Sequence, residues 1–171
     1  MRVPMQIRNE RSTDHAAVRA INAAAFGQAA EADLVDALRD RADRVISLVA
    51  DIEHEIVGHI LFSPVTLPGY DAMAIAGLAP MAVAPGRQRT GIGSALVRAG
   101  LVQCRSNGYG AVVLLGHAEY YPRFGFRPAS RFGIGCEYDV PENAFMLLEL
   151  EPGYLRGASG TIRYHPAFGT V

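Results

Sequence analysis

The segment from residue 71 to residue 107 constrains the fold of this chain more than any other part, because a glycine-containing loop there joins an apolar run to an amphipathic pattern. The run "DAMAIAGLAPMAVAP" predicts a buried strand rather than a helix. Pro80 cannot donate to a sheet ladder, so it predicts a bulge or a point where strand pairing stops. After the loop, we expect a helix from about Ile92 to Asn107 that ends at Gly108.

The loop itself, "GRQRTGIGSAL", has the features of an anion-binding turn. Gly91 and Gly93 carry no Cβ, so a ligand can approach the backbone closely. The N–H groups of residues 89–94 lie at a helix N-terminus, where the helix dipole favours negative charge. Two standard phosphate-binding fingerprints do not fit, because Leu96 replaces the third glycine of one and the lysine of the other is missing. From the loop alone, a tight turn that binds nothing is an equally good interpretation.

The rest of the chain predicts a single domain, residues 1–171, built on a mixed α/β sheet. A hairpin through Glu53 and His54 joins two of its strands. The parts are N-terminal helices over 1–44, antiparallel strands over 45–84, the loop, helix, strand and Tyr-containing turn over 85–126, and C-terminal strands over 127–171. Helical spacing predicts buried positions at Ala17, Val18, Ile21, Ala24 and Ala25, at Leu34, Val35 and Leu38, and at Ala95, Leu96, Ala99 and Val102.

The composition excludes several classes of protein. The 16 basic and 17 acidic side chains are mixed along the chain and give a net charge of −1, so we expect neither nucleic acid nor a membrane as partner. The apolar runs are shorter than the ~20 residues of a membrane span, and the N-terminus does not resemble a secretory signal. Cys104 and Cys136 lack metal-ligand spacing, so we expect reduced thiols, no metal and a cytoplasmic protein.

Two segments, in this order, resemble motifs of the GNAT superfamily of N-acetyltransferases. "MAVAPGRQRTGIGSALV" is similar to the family's strand, pyrophosphate loop and helix, and "GHAEYYPRFGF" to its later Tyr-x-x-x-Gly-Phe element. The endings "GHILFSPV" and "YYPRFGF" are most similar to the YhbS-like bacterial branch. The resemblance covers roughly residues 5–150 and is specific over 78–126. It implies a mostly antiparallel central sheet, helices on both faces, and two neighbouring strands that splay apart at the cofactor site.

The resemblance also implies the cosubstrate, acetyl-coenzyme A, with no metal. Its pyrophosphate would lie on the glycine loop, and its pantetheine arm would bond to free backbone groups of the strand before the loop, much as an added strand does. Arg123 would reach the adenine end. The implied binding residues are Met81, Ala82, Val83, Gln88, Arg89, Thr90, Gly91, Ile92, Gly93, Ser94 and Arg123.

The implied reaction is direct attack of a primary amine on the thioester carbonyl. By analogy with the family, the N–H of Val83 is the oxyanion donor and Tyr121 is the general acid. A phenol of pKa ~10 can protonate a thiolate whose parent thiol has a pKa of ~8.5. Tyr120 is the alternative acid, although helical spacing turns the two side chains about 100° apart.

The general base and the acceptor stay open at this stage. His59 and Glu31 are the leading bases, and His117 and Glu119 are further candidates, although a histidine on an apolar strand is more often a hydrogen-bonded core residue. The acceptor is a small metabolite or an exposed protein amine. The C-terminal segment either completes the acceptor pocket or pairs across a homodimer, since this fold often dimerises. The alternative function is an acyl-CoA-binding module with little or no catalysis.

Overall fold

The computed structural model describes residues 4–170. The strands are β1 Met5–Asn9, β2 Ile46–Ile52, β3 Glu55–Val65, β4 Ile75–Val83, β5 Ala111–Leu115, β6 Arg127–Pro128, β7 Ile134–Cys136, β8 Phe145–Glu149 and β9 Gly160–Ile162. The α-helices are α1 His15–Phe26, α2 Ala30–Arg41 and α3 Ile92–Ser106. Short 3-10 turns cover Ser12–Asp14, Pro85–Arg87, Tyr121–Phe124, Ala129–Phe132, Glu142–Ala144 and Pro166–Thr170.

The main sheet has the strand order β1-β2-β3-β4-β5-β8-β6, and β7 pairs with β9 beside it. Within the main sheet β4 and β5 are parallel, whereas the other neighbouring strands are antiparallel. The hairpin between β2 and β3 turns through Glu53 and His54, which both have positive φ, at 52° and 68°. A mixed, mostly antiparallel sheet is therefore confirmed.

Strand β1 corrects the prediction that residues 1–44 contain only helices. It pairs antiparallel with β2, from Met5 opposite Ile52 to Asn9 opposite Leu48. Five residues are too few for a clear alternation of apolar and polar side chains, and the strand is half-buried at the sheet edge. Its partner lies far along the chain, so the local sequence pattern does not reveal the pairing.

The bulge predicted at Pro80 is confirmed by the register between β3 and β4. Ile60 lies opposite Met81 and Phe62 opposite Leu78, so two residues of β4 face one residue of β3 at this point. Such a bulge bends the strand and increases its local twist.

The bulge is followed by the separation of β4 from β5. The two strands pair only from Ile75 opposite Ala111 to Gly77 opposite Val113, whereas β4 continues to Val83. The second half of β4 therefore has β3 on one side and a gap on the other. This is the splayed strand pair that the family resemblance implies.

Helices cover both faces of the sheet. Neighbouring residues of each strand point to opposite faces, and the central strands carry apolar side chains on both. Leu48 and Phe62 pack with Leu96 of α3 on one face. Val49 and Leu61 pack with α1 and α2 on the other, where the small β7–β9 sheet covers the remaining strands. Among the described residues, no helix is both long and apolar enough to cross a membrane.

The predicted helix faces are correct for α2 and partly wrong for α1 and α3. Leu34, Val35 and Leu38 are buried as predicted. In α1, Val18 and Ile21 are buried, but Ala17 and Ala24 are exposed, and the polar Asn22 takes a buried position. In α3, Val102 is 66% exposed, whereas Cys104 is buried. The buried Asn22 has a hydrogen-bond partner on the sheet, His59 of β3.

Candidate active site

A pocket of about 520 Å³ lies where β4 leaves β5 and meets the start of α3. Its walls come from β4, from the glycine loop, from the first turn of α3 and from the turn that contains the two adjacent tyrosines. The lining residues are Met81, Val83, Gln88, Arg89, Gly91, Gly93, Ser94, Tyr120 and Arg123.

The first turn of α3 supplies N–H donors to this pocket. The first intrahelical hydrogen bond runs from the N–H of Ala95 to the carbonyl of Gly91, over 3.1 Å. The N–H groups of residues 92–94 therefore precede the helical ladder and have no acceptor within it. Gly91 occupies the N-cap position with φ of 91°, and a glycine has no side chain that could cap these donors. The helix start is thus built to receive an anion.

The glycine loop turns sharply before the helix. Arg89 has φ of 63°, in the left-handed region that non-glycine residues seldom occupy. The Thr90 hydroxyl donates to the carbonyl of Arg87, which holds this turn closed. Left-handed residues alternating with others along a short segment direct successive N–H groups toward one concave side.

The free edge of β4 supplies the second set of backbone groups. The N–H of Ala84 donates to the carbonyl of Val57 over 2.9 Å, and hydrogen-bonded pairs alternate along an antiparallel ladder. The backbone groups of Ala82 therefore point toward β3, and those of Met81 and Val83 point into the gap. The Gln88 amide donates to the Val83 carbonyl over 3.2 Å, which leaves the Val83 N–H directed at the pocket.

The two tyrosines occupy different environments. Tyr120 lines the pocket, and its hydroxyl lies 2.9 Å from the Ser94 hydroxyl. Tyr121 lies behind it in the core, only 8% exposed, with its ring edge-on to Phe126. A Cβ placed on Gly116, just after β5, would lie 2.5 Å from the Tyr121 ring, so that ring sits tightly against the end of the splayed strand. Burial raises the pKa of Tyr121 to about 12.

The structure brings most of the predicted cofactor residues together. Eight of the predicted residues line the pocket, and Tyr120, predicted only as an alternative acid, lines it with them. Ala82 is 2% exposed and faces the opposite side of the sheet, and the Ile92 side chain packs in the core. Helical spacing predicted that the side chains of Tyr120 and Tyr121 point in different directions, but it did not indicate which of them faces the gap between β4 and β5.

The candidate bases lie outside this pocket. Glu31 stands in the first turn of α2, where it accepts a hydrogen bond of 2.9 Å from the Gln28 amide. His117 and Glu119 are exposed in the turn before Tyr120. His59 is fully buried under α1, on the face of the sheet opposite to α3.

His59 belongs to a buried chain of hydrogen bonds. The Ser47 hydroxyl donates to Glu10 over 2.6 Å, so it accepts from His59 Nε2 at 2.8 Å. The Asn22 amide donates to His59 Nδ1 over 3.1 Å. Each ring nitrogen thus has the partner that a neutral imidazole requires. The histidine joins α1 to the sheet, and this explains the buried Asn22.

The charged end of the chain is Glu10, which also accepts from Arg39 over 2.6 Å. Burial alone would raise the pKa of Glu10, but the contact with His59 Nε2 at 3.5 Å, the hydrogen bond from Ser47 and the charge of Arg39 lower it to about 2. Burial lowers the pKa of His59 and outweighs the contact and charge of Glu10, which act to raise it; the nearby Arg39 charge acts in the same direction as burial. His59 is therefore a neutral core residue at neutral pH.

This arrangement predicts that stability falls as pH drops below about 6.5, the pKa of an exposed histidine. The unfolded chain then takes up a proton that buried His59 does not, and the free energy of unfolding decreases by up to about 1.4 kcal/mol per pH unit for this group. Glu10 contributes only at lower pH, since its stabilisation is lost between about pH 4.5 and its folded pKa. Urea unfolding between pH 7.5 and 5.5 measures the slope. In His59→Gln the free energy of unfolding should fall less steeply with decreasing pH, because the proton uptake of the unfolded histidine is removed. Equal slopes for the variant and the wild type would contradict the conclusion that His59 is neutral in the folded protein.

No three His, Cys, Asp or Glu side chains within the described part of the chain converge in a way that would hold a metal ion. Cys104 and Cys136 are both free thiols. Burial raises the pKa of Cys104 to about 12, so its thiol stays protonated.

The sequence of this chain matches a known family of proteins. Residues 6–129 match the acetyltransferase (GNAT) domain. The chain is 36% identical over 165 residues to YhbS of Escherichia coli, an uncharacterized N-acetyltransferase, covering 96% of this chain and 98% of that protein. It is 42% identical over 134 residues to YjhQ of the same organism, another uncharacterized N-acetyltransferase, covering 76% of this chain and 74% of that protein.

Solved structures agree with these matches. The crystal structure of Escherichia coli YhbS in complex with CoA superposes with a TM-score of 0.92 at 33% identity, covering 99% of this chain and 94% of that one. A GNAT family acetyltransferase from Brucella melitensis in complex with acetyl-CoA superposes with a TM-score of 0.81 at 38% identity, covering 98% and 99%. Since the domain match and these relatives span most of the chain, the protein belongs to the GNAT family of N-acetyltransferases.

Proposed function

We propose that this protein transfers an acetyl group from acetyl-CoA to a primary amine, on a small metabolite or an exposed protein side chain or terminus. One observation carries the proposal: a single pocket joins the unpaired N–H groups at the start of α3 to the free backbone edge of β4. The first feature suits a diphosphate and the second an extended amide-containing arm. Two relatives of high similarity were solved with CoA or acetyl-CoA.

The residues divide between the two halves of the cosubstrate. The N–H groups of residues 92–94, together with Gly91, would hold the diphosphate. The backbone of Met81 and Val83 would pair with the pantetheine arm as a neighbouring strand would. The Met81 and Val83 side chains are half-buried and form the apolar wall beside that arm.

The transfer step needs an oxyanion donor and a proton for the leaving thiolate. The Val83 N–H is directed into the gap and stabilises the negative charge that develops on the thioester oxygen during attack. The Tyr121 hydroxyl donates its proton to the departing sulfur. Burial raises the pKa of this phenol to about 12, so it is protonated at neutral pH and its proton is available when the thiolate leaves.

The attacking amine must lose a proton, because an alkyl amine with a pKa of ~10.4 is mostly protonated at neutral pH. His59 is unsuitable as the base, since it is fully buried and both ring nitrogens are hydrogen-bonded. Glu31 stays the candidate base, because it is partly exposed at the start of α2 and, among the described residues, accepts a hydrogen bond only from the neighbouring Gln28 amide.

Titration calorimetry with acetyl-CoA, CoA and ATP tests the cosubstrate. We expect the two CoA species to bind with roughly micromolar dissociation constants and ATP not to bind. Thiol release from acetyl-CoA in the presence of small diamines and peptides then measures transfer. Binding without release across a broad amine panel would favour an acyl-CoA-binding module, which is consistent with Tyr121 lying behind the pocket wall. Absence of binding by both CoA species would overturn the proposal.

A further inference from the structure

We propose that a small apolar cavity near the gap between β4 and β5 receives the side chain of the amine acceptor, so that the enzyme prefers acceptors with an aromatic or branched aliphatic group. The cavity lies on the face of the main sheet opposite to α3, whereas the cosubstrate pocket lies on the α3 side. The inference rests on the proposed function, and it names the class of acceptor for that reaction.

The cavity has a volume of about 170 Å³ and lies between β7, the start of β8 and the loop that joins these strands. Two polar residues that line it, Ser130 and Glu142, are exposed to solvent. A cavity of ~150 Å³ with apolar walls holds a benzene molecule, so this cavity has room for a phenyl ring or a branched aliphatic group. Most of its lining residues have apolar or weakly polar side chains, namely Ile134, Cys136, Tyr138, Val140, Pro141 and Phe145.

Strand β8 connects this cavity to the gap. Phe145, which lines the cavity, lies directly opposite Leu115 in the ladder between β5 and β8. Cross-strand partners point to the same face of a sheet, and Leu115 is the last residue of β5, next to the gap. Its side chain is 39% exposed, so the layer that covers this face stops there. Because neighbouring strands are ~4.8 Å apart, a group in the cavity lies about 5–10 Å from an amine nitrogen at the gap.

A pair of tyrosines provides a second connection between the cavity and the gap. The ring centroid of Tyr138, which lines the cavity, lies 5.6 Å from that of Tyr164. Tyr164 covers Gly77, since a Cβ placed on Gly77 would lie 3.1 Å from the Tyr164 ring. Gly77 is the last residue of β4 that pairs with β5, so the gap begins there. An acceptor that extends from the gap to the cavity therefore passes between Tyr164 and Leu115.

Exposed apolar side chains favour an apolar acceptor on this face. Within the described part of the chain, four large apolar side chains are exposed, and three of them belong to elements on the face opposite to α3. They are Phe26 at the end of α1, Leu115 and Tyr138, whereas the fourth is Val102 of α3. Exposed apolar surface of this kind marks ligand-binding sites, and an apolar ligand group removes it from water. An acceptor with only hydroxyl or charged groups would leave it uncovered.

The test uses conjugates in which the CoA sulfur carries –CH₂–CO–NH–R, because they place an amide nitrogen on the acceptor side and cannot transfer an acetyl group. R is 2-phenylethyl, 2-hydroxyethyl or 2-aminoethyl. Calorimetry measures the dissociation constant of each conjugate for the wild type. We expect the phenylethyl conjugate to bind about tenfold more tightly than the other two.

Val140→Asp and Val102→Asp are the matched variants for this test. Val140 lines the cavity, and an aspartate there would lose water when the phenyl group binds, so the preference should fall to about threefold or less. Val102→Asp is the same substitution on α3, on the opposite face of the sheet, and it should retain the wild-type preference. The dissociation constant of CoA itself shows whether each variant is folded.

Three results would overturn the inference while leaving the proposed function intact. The first is a wild type that binds the three conjugates equally well. The second is a preference for the hydroxyethyl or the aminoethyl conjugate, the latter assigning the choice to the Glu142 carboxylate. The third is a folded Val140→Asp variant that keeps the wild-type preference. A wild type that binds neither CoA nor any conjugate would instead refute the proposed function, and this inference with it.

Discussion

Replacement of Gly91 by aspartate should raise the dissociation constant of acetyl-CoA at least 100-fold. Gly91 is the N-cap of α3, with φ of 91°, a conformation that costs an L-residue about 1–2 kcal/mol. A carboxylate there repels the diphosphate and also accepts the first-turn N–H groups, which are the donors that the ligand needs. Calorimetric titration of the purified variant measures the loss.

Gly86→Asp is the matched control for this change. Gly86 is the first residue of the loop, within the Pro85–Arg87 turn; it is exposed and has open space where a Cβ would be placed. The substitution adds the same charge to the same loop, but residue 86 does not line the pocket. We expect its affinity for acetyl-CoA to stay within about threefold of the wild type, since a carboxylate exposed to water interacts only weakly with a neighbouring charge. Equal affinities for the two aspartate variants would contradict the assignment of the α3 N-terminus to the diphosphate.

The sequence predicted the parts of this site that depend on backbone chemistry. Pro80 and Gly91 restrict or release the backbone at their own positions, so the bulge and the helix start follow from residue type alone. The separation of β4 from β5 came from the family resemblance, and the bulge at Pro80 agrees with it. Features of this kind are local, and a single sequence is sufficient to place them.

The sequence did not predict the parts that depend on what a side chain meets across the fold. Val102 fits the helical spacing of the predicted buried face, yet the sheet packs on the side of α3 that carries Leu96 and Cys104, and Val102 is left 66% exposed. Asn22 interrupts an alanine-rich face and looks like a surface residue, but His59 provides it with a buried partner. In both cases the deciding contact involves residues far apart in sequence.

Tyr120 and Tyr121 illustrate the same limit within the site. The family motif indicates Tyr121, and helical spacing shows only that the two rings point in different directions. The structure adds that the Tyr120 hydroxyl is committed to Ser94, whereas the Tyr121 ring rests on Gly116 at the end of β5. The two residues can therefore have separate roles, one toward the phosphates and one toward the thioester.

Tyr121→Phe should lower kcat by about 10²- to 10⁴-fold and leave the dissociation constant of acetyl-CoA nearly unchanged. The substitution removes only the hydroxyl, so the edge contact with Phe126 and the packing on Gly116 remain. Without the proton donor the sulfur must leave as a thiolate in a buried position, which raises the barrier to departure. Thiol release at saturating acetyl-CoA and amine measures kcat, and calorimetry measures binding.

Tyr120→Phe separates this effect from a general disturbance of the aromatic turn, because it removes a hydroxyl from the neighbouring ring in the same cluster. Its expected signature is the reverse: kcat changes by less than about threefold, and KM for acetyl-CoA rises as the contact with Ser94 is lost. If Tyr121→Phe retained full kcat while Tyr120→Phe lost it, the acid would be Tyr120, and the pocket-facing hydroxyl near Ser94 would have to reach the thioester. If neither variant lost kcat, the thiolate would leave without protonation by this turn, and transfer would depend on the Val83 N–H alone among the groups assigned to catalysis.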